Sequence, residues 1–284
     1  MNPTKTETIA TEATTGTYPV LKWDEGHIEK LDDCVAEEVP VAMVYNGISH
    51  AVMLATPQDL ADFALGFSLS EGILSSAEEL YDIEVVPQKK GIELHMRVAA
   101  ERFQQLKERR RSMSGRTGCG LCGSESLDQA MRIPDSIHPA NVINLADRIQ
   151  SRSIYLAHQN IHNQQKLQTL TGATHASAWI RPDGSIAMLR EDVGRHNALD
   201  KLIGARAYQH DTEPGFVLTT SRASYEMVQK VACAGIPMLV AISGPTGLAI
   251  RIAQNCGVTL VGFARNNQHV VYSRPDRILH KETA

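Results

Sequence analysis

Residues 216–265 read FVLTTSRASYEMVQKVACAGIPMLVAISGPTGLAIRIAQNCGVTLVGFAR, and they alternate short apolar runs with longer segments of helical spacing. The runs FVLTTS, MLVAIS and TLVGFAR are too short for helices and predict strands. ASYEMVQKVACAGI and PTGLAIRIAQNCG lie between them and have the length of helices. Strands joined by helices need crossover connections, so this unit predicts a largely parallel, buried sheet.

The residues that precede this unit indicate hairpins and further helices. THASAWI and SIAMLRE flank the turn signal RPDG and predict a hairpin, and GRHNALDKLIGARAYQ predicts the helix after it. A second hairpin is predicted for residues 39–55, where two apolar runs surround Asn46-Gly47. Thr56 is expected to cap the next helix, with Pro57 at its first position. YDIEVVP and GIELHMRVA then indicate strands, and ERFQQLKERRR indicates a helix.

The pattern of predicted strands and helices differs between the two halves, and this difference predicts two domains. We expect a smaller N-terminal α+β domain carrying hairpins over residues 18–125 and a C-terminal domain over residues 126–284. Residues 1–17 are rich in threonine and lack the apolar core of a signal peptide, so they predict a disordered tail.

The composition excludes several classes of protein. The chain is 43% hydrophobic with a net charge of −4, which is ordinary for a globular protein and gives no sign of nucleic-acid binding. No apolar run approaches the roughly 18 residues that a membrane span needs. The five cysteines are an odd number and are scattered, which argues against a disulfide framework and for a reducing cytosol.

The segment RRRSMSGRTGCGLCGSES, residues 109–126, places Cys119 and Cys122 three apart in a basic, glycine-rich run. Three interpretations are open. The pair is half of a zinc site completed by His175 and His196, a thioredoxin-like redox pair, or a nucleophilic thiolate on a mobile loop. The surrounding glycines disfavour the helix start that the redox pair needs. The neighbouring arginines favour a thiolate, whose natural cargo is sulfur held as a persulfide.

A second group of residues follows the predicted strands of the C-terminal half. Turns at the ends of parallel strands and at helix N-termini bind phosphates, so these residues predict a phosphate-bearing ligand at the carboxyl edge of the sheet. Each signal alone is also typical of an ordinary cap or turn, and a lone histidine is often structural. The residues are Asp192, Gly194, Arg195 and His196, the turn at 242–247, and the turn at 262–268.

The motifs do not fit a zinc-dependent nucleobase deaminase. That signature requires His-x-Glu together with Pro-Cys-x-x-Cys. Neither His175 nor His196 is followed by the required glutamate, and Gly118 stands where the signature has proline. A deaminase reaction is therefore not expected.

Together the motifs resemble the formate dehydrogenase accessory sulfurtransferase family, FdhD. The matching pieces are ATPQDLADFALGFSLSEGIL, GRTGCGLCG, TGATHASAW, EDVGRHNALDKLIG, SRASYEMVQK, ISGPTGLAI and LVGFARNNQHVVYSRPDRI, in the family's order. Ala173 is a mild departure, since glycine is expected there. The resemblance implies an α/β fold whose C-terminal domain is a cytidine-deaminase-like three-layer unit with a mixed, largely parallel sheet. It also implies a cytoplasmic homodimer that binds neither nucleic acid nor membranes.

The resemblance further implies a function and its residues. The protein is expected to accept sulfur from a cysteine desulfurase as a persulfide. It then passes that sulfur to the molybdenum cofactor, as bis-molybdopterin guanine dinucleotide, for the catalytic subunit of formate dehydrogenase. GDP is an analogue of half of this cargo. Cys119 is implied as the persulfide carrier and Cys122 as its auxiliary, with no resident metal. The implied cofactor-binding residues are Phe263, Ala264, Arg265, Asn266, Asn267 and Gln268.

One alternative from a different class remains open at this point. A zinc-stabilised nucleotide-binding chaperone without sulfur transfer would use Cys119 and Cys122 as metal ligands. The sequence also leaves open whether Cys122 is essential, what His175 and His196 do, and which desulfurase and which formate dehydrogenase are the partners.

Overall fold

The structure is a computed structural model that describes residues 13–114 and 149–280, with side chains described up to residue 108 in the first range. The strands are β1 (Thr15–Asp24), β2 (His27–Ala36), β3 (Val39–Tyr45), β4 (Ile48–Ala55), β5 (Leu80–Gln88), β6 (Gly91–Val98), β7 (Ile149–Gln150), β8 (His175–Ile180), β9 (Ile186–Asp192), β10 (Phe216–Thr219), β11 (Met238–Ala241), β12 (Thr259–Arg265), β13 (Gln268–Ser273) and β14 (Ile278–Leu279). The helices are α1 (Leu60–Ser70), α2 (Ala100–Ser114), α3 (Ser151–Gln164), α4 (Lys166–Thr171), α5 (Arg195–Tyr208), α6 (Tyr225–Cys233) and α7 (Gly247–Cys256).

The central sheet has six strands in the order β13-β12-β11-β10-β8-β9. β10, β11 and β12 run parallel, as their connection through α6 and α7 requires. β8, β9 and β13 are antiparallel to their neighbours. Short turns join β8 to β9 and β12 to β13, whereas β8 pairs with β10 across a long stretch of sequence. The predicted mixed α/β fold is confirmed, and its parallel part is confined to the three middle strands.

Helices cover both faces of this sheet. Successive side chains of a strand point to opposite faces, so Trp179 and Leu239 pack against α5, α6 and α7, whereas Ala178 and Val240 pack against α3. The result is a helix–sheet–helix arrangement of three layers. Within the described ranges, no helix has both the length and the apolar composition needed to cross a membrane.

The N-terminal half forms a four-stranded sheet in the order β4-β3-β6-β5, with α1 packed on one face. The predicted hairpin of residues 39–55 is confirmed, and its turn residues Asn46 and Gly47 both have positive φ. The strands β5 and β6 and the helix α2 are also confirmed.

The predicted start of α1 is wrong. The helix begins at Leu60 and not at Pro57, and its N-cap is Asp59. Thr56 does not cap it because the residue is fully buried and bonded elsewhere. Its N–H donates to Asp192, and its hydroxyl accepts from the N–H of Val193 at 3.1 Å.

Two glycines let α1 and α5 approach closely. A Cβ atom on Gly66 would overlap the carbonyl oxygen of Asp200, and one on Gly204 would overlap that of Asp62. This crossing ties the N-terminal half to the central sheet. The predicted domain boundary near residue 126 lies outside the described residues.

The hairpin of β1 and β2 forms a separate two-stranded sheet that the sequence did not predict. It begins at Thr15, within the segment for which a disordered tail is predicted. Its side chains include exposed hydrophobic residues such as Trp23, so the alternation of buried and exposed positions that identifies a strand is weak here.

Candidate functional site

The loops that follow β10 and β11 meet the last residues of β12 at one edge of the central sheet, and these segments are bonded to one another. Ala223 pairs with Pro245, and the N–H of Thr246 donates to the carbonyl of Ala223 at 3.1 Å. The N–H of Phe263 donates to the carbonyl of Ser243 at 3.2 Å. The polar turns that the sequence predicts to follow these strands therefore lie side by side.

The start of β8 and the start of α5 join this edge. Because β8 is antiparallel to β10, its first residues lie beside the end of β10, and the N–H of Ala176 donates to the Thr220 hydroxyl at 2.9 Å. His175 pairs with Asp192, the last residue of β9, and α5 begins at Arg195. The edge thus combines the ends of strands with the N-termini of α5, α6 and α7, the type of location at which open α/β sheets bind ligands.

Asp192 is an anchor of this edge and is not available to a ligand. Its side chain is fully buried, and its carboxylate lies 2.6 Å from Nζ of Lys201, which is equally buried. Burial lowers the pKa of Lys201, and the Asp192 carboxylate opposes that effect. The carboxylate also accepts hydrogen bonds from the N–H groups of Thr56 and Gly194 and from the amide of Asn197. These contacts fix the turn that leads into α5.

Some buried donors at this edge have no acceptor in the described part of the chain. They include the Nε–H of Arg195 and the hydroxyl of Ser224, the residue before α6. Buried polar groups in native proteins are nearly always hydrogen-bonded, so an unpaired one calls for an explanation. Both groups donate hydrogen bonds, and an anion at the edge would satisfy them.

The two histidines of the edge have lowered pKa values. For His175, burial lowers the pKa, and the positive charge of Arg195 lowers it further. For His196, burial also lowers the pKa, although Glu226, whose carboxylate lies 2.7 Å from Nε2, opposes this. Both imidazoles are therefore expected to be neutral near pH 7.

Phe263 and Arg265 stand exposed where β12 ends. The guanidinium carbon of Arg265 lies 5.8 Å from the centre of the Phe263 ring. Within the described residues, Arg265 forms no ion pair, so its charge is not offset by a neighbouring carboxylate. A guanidinium in this situation is suited to bind phosphate oxygens.

The other predicted cofactor-binding residues of this segment differ in their accessibility. Ala264 is fully buried in the core on the α3 face, so only its backbone can reach a ligand. Asn266 and Asn267 form the turn between β12 and β13 with φ values of 52° and 59°, and Gln268 opens β13. Their amide side chains are exposed beside Arg265.

The predicted sulfur-carrying residues Cys119 and Cys122 lie outside the described residues. In residues 13–114 and 149–280, no three His, Cys, Asp or Glu side chains are arranged to hold a metal ion. His175 and His196, the residues considered as further zinc ligands, lie beside Arg195 and Glu226 respectively.

The fold and this edge define a class: a three-layer α/β protein in which strand ends, helix N-termini and unpaired donors meet at one edge of the central sheet. Comparison with known proteins identifies the family within that class. The model of the FdhD/NarQ family matches residues 36–279, most of the chain. The chain therefore belongs to the FdhD/NarQ family, and the resemblance drawn from the motifs is confirmed.

Individual relatives agree with this assignment. The sulfur carrier protein FdhD of Cupriavidus necator is 54% identical over 269 residues, which covers 94% of this chain and 91% of the relative. The protein of the same name from Bordetella petrii is 51% identical over 247 residues, 87% of each chain. A solved structure of a candidate formate dehydrogenase accessory protein from Desulfotalea psychrophila matches with a TM-score of 0.71 and 25% identity, covering 94% of this chain and 100% of that one.

Proposed function

We propose that this chain is a sulfur carrier in the maturation of formate dehydrogenase. It takes sulfur from a cysteine desulfurase onto Cys119 and delivers it to bis-molybdopterin guanine dinucleotide, the molybdenum cofactor, which is its substrate. It acts as a cytoplasmic homodimer, and the modified cofactor passes to the catalytic subunit of formate dehydrogenase. Membership of a family whose relatives are named sulfur carrier proteins supports the proposal.

The two cysteines provide a balanced route for the sulfur. The Cys119 thiolate attacks the outer sulfur of the desulfurase persulfide, and the desulfurase thiolate leaves. The Cys122 thiolate then attacks Sγ of Cys119, a disulfide forms, and the outer sulfur leaves as sulfide for the molybdenum. The two electrons that reduce the sulfur come from the thiol pair, so a disulfide reductant must restore the carrier.

The cofactor is proposed to bind at the edge formed by the strand ends. The observation that carries this part is the presence of unpaired donors there: the buried Nε–H of Arg195, the buried hydroxyl of Ser224 and the exposed guanidinium of Arg265. The phosphates of a guanine dinucleotide would accept hydrogen bonds from all three. Charge-assisted bonds from arginine to phosphate are among the stronger contacts that proteins make.

Arg265→Ala is expected to weaken the binding of GDP about ten- to hundredfold. A charge-assisted contact is worth roughly 1.5–3 kcal/mol. Calorimetric titration of GDP into the wild type and the variant measures the change. Arg97→Ala is the matched control, since Arg97 is an exposed arginine of the other sheet and lies 4.0 Å from its carboxylate neighbour Asp82. The control is expected to bind GDP like the wild type.

A variant that binds the cofactor poorly should still be loaded with sulfur. Arg265→Ala is expected to accept sulfur from a desulfurase at the wild-type rate, because Cys119 lies on a different segment. If GDP affinity is unchanged while loading fails, the division between a cofactor edge and a separate sulfur-carrying segment is wrong.

Nucleotide binding is also expected to raise the pKa of His175. In the unliganded protein, burial and Arg195 hold this pKa below its ordinary value of 6.5. A phosphate at the edge favours the imidazolium, so the pKa rises on binding and a proton is taken up. By linkage, His175 contributes affinity that grows as the pH falls from above the pKa of the complex to below the lower pKa of the free protein.

NMR titration of the histidine rings with and without GDP measures this shift. His158, on α3 at the opposite face of the sheet, is the internal control, since its pKa is lowered by burial and by His162. We expect the His158 titration to stay unchanged. An unmoved His175 pKa at saturating GDP would place the phosphates away from Arg195.

A further inference from the structure

Phe263 adopts a backbone conformation that is unusual for an aromatic residue. Its φ is +52°, in the left-handed region, which for a bulky residue is strained. It lies in the bulge between Gly262 and Arg265, where the pairing of β12 with β13 is interrupted. Strain of this kind persists only where the surroundings enforce it, and it concentrates at functional sites.

The turn after β11 enforces this conformation. The carbonyl of Ser243 accepts the N–H of Phe263 at 3.2 Å, which fixes the backbone. A Cβ atom on Gly244 would lie 2.8 Å from Cζ of the Phe263 ring, so the ring rests directly on the glycine. Gly244 does not have a positive φ, and its small size rather than its flexibility is therefore what the position requires.

A second close contact lies one residue later in the turn and one residue earlier in β12. A Cβ atom on Gly262 would lie 2.7 Å from Cδ of Pro245, so the strand and the turn are also packed together next to the phenylalanine. Phe263 is nevertheless 37% exposed, an unusual fraction for a phenylalanine held this firmly. The guanidinium of Arg265 lies over the same ring, 5.8 Å from its centre.

We propose that the Ser243–Gly244 turn holds Phe263 as a stacking floor for the purine base of the nucleotide, while Arg265 binds its phosphate. Gly244 is then a positioning residue, acting through Phe263. The inference rests on the proposed nucleotide site and adds which part of the ligand each side chain meets. A planar ring fixed beforehand binds a base with little loss of conformational freedom, and stacking on an aromatic side chain tolerates any base with an accessible face.

Gly244→Val tests the proposal, and Ala100→Val, another change of a small residue to valine, is its control. Valine at position 244 pushes the ring from its place, and we expect GDP affinity to fall about tenfold, as it does for the loss of one stacked base. Ala100 is exposed at the start of α2 in the N-terminal half, away from the edge, so valine at this position should leave GDP affinity unchanged. Calorimetry of GDP binding measures both.

Two further measurements separate positioning from a general structural effect. Inorganic pyrophosphate, which has no base, should compete with GDP at the same affinity in the wild type and in Gly244→Val. Phe263→Leu should lose as much GDP affinity as Gly244→Val, and the double variant should lose no more than either one. Additive losses, or a parallel loss of pyrophosphate binding, would overturn the role of Gly244.

The binding measurements distinguish a wrong role for Phe263 from a wrong position of the nucleotide site. If the wild type binds GDP and both Gly244→Val and Phe263→Leu bind it equally well, the stacking floor is wrong and the nucleotide edge stands. If the wild type binds neither GDP nor pyrophosphate, the nucleotide edge itself is wrong.

Discussion

Replacing Cys119 with alanine is expected to abolish the maturation of formate dehydrogenase while leaving the chain folded. Alanine has no sulfur that can form a persulfide, and no other step of the proposed route replaces that bond. The neighbouring arginines favour the thiolate form that attacks the donor. The glycine- and serine-rich segment around the cysteine contains no apolar run that a core would need. Formate dehydrogenase activity in a cell that carries only the variant should fall to the background level.

The controls for this experiment use other cysteines of the chain. Cys34→Ala, in β2, should retain full activity, because Cys34 is half-buried in a hairpin that has no part in the proposed route. Mass spectrometry of the wild type after loading should find the persulfide on Cys119. Normal enzyme activity with Cys119→Ala, or a persulfide found only on Cys122, would contradict the proposed order of transfer.

Chemical analysis of the purified protein separates the carrier from the zinc-stabilised chaperone. A sulfur carrier incubated with a desulfurase and cysteine should release labile sulfane sulfur on treatment with cyanide. The chaperone would hold stoichiometric zinc through Cys119 and Cys122 and would release none. Cys119→Ala abolishes the sulfane sulfur in the first case and lowers the zinc content in the second.

The alternation of strands and helices in residues 216–265 could be predicted because it depends on local periodicity. The meeting of three polar turns could also be predicted, since the carboxyl ends of parallel strands lie at the same edge. The limited extent of the parallel sheet was harder to predict. It depends on which strands pair: β13 follows β12 through a short turn, but β8 lies beside β10 through contacts that no local pattern records.

The features that the sequence does not predict depend on contacts between residues far apart in the chain. Thr56 has the residue type of a helix cap, but its partners Asp192 and Val193 are more than a hundred positions away. Asp192 itself was expected at the ligand edge, and only its contacts identify it as an anchor. The strained backbone of Phe263 likewise results from packing against Gly244, which the sequence shows only as a glycine in a turn.

The anchor at Asp192 is a place where a change of one atom should have a large effect on stability. Asp192 and Lys201 are both fully buried and lie 2.6 Å apart. Nζ of Lys201 also donates to the carbonyl of Thr56 at 2.9 Å, so the pair connects the segment before α1 to α5. Removing one partner of a buried ion pair leaves an uncompensated charge in the interior, which typically costs about 3–5 kcal/mol.

Asp192→Asn is therefore expected to lower the free energy of unfolding by about 3–5 kcal/mol, a large share of the roughly 5–15 kcal/mol that stabilises a typical protein. The substitution keeps the shape of the side chain but removes its charge. It also places an NH₂ group where only donors point, because both carboxylate oxygens accept hydrogen bonds from the surrounding N–H groups. Urea unfolding of the wild type and the variant measures the loss.

Asp276→Asn is the matched control for this measurement. Asp276 pairs with Arg274 at 2.8 Å, but the two side chains are 57% and 43% exposed, so solvent screens their attraction. Exposed pairs of this kind contribute about 0–1 kcal/mol, and the control should unfold close to the wild type. If the two variants lose equal stability, the Asp192–Lys201 pair does not hold the halves of the molecule together. The contact between the halves would then have to come from the packing of α5 on α1, which the crossing at Gly66 and Gly204 provides.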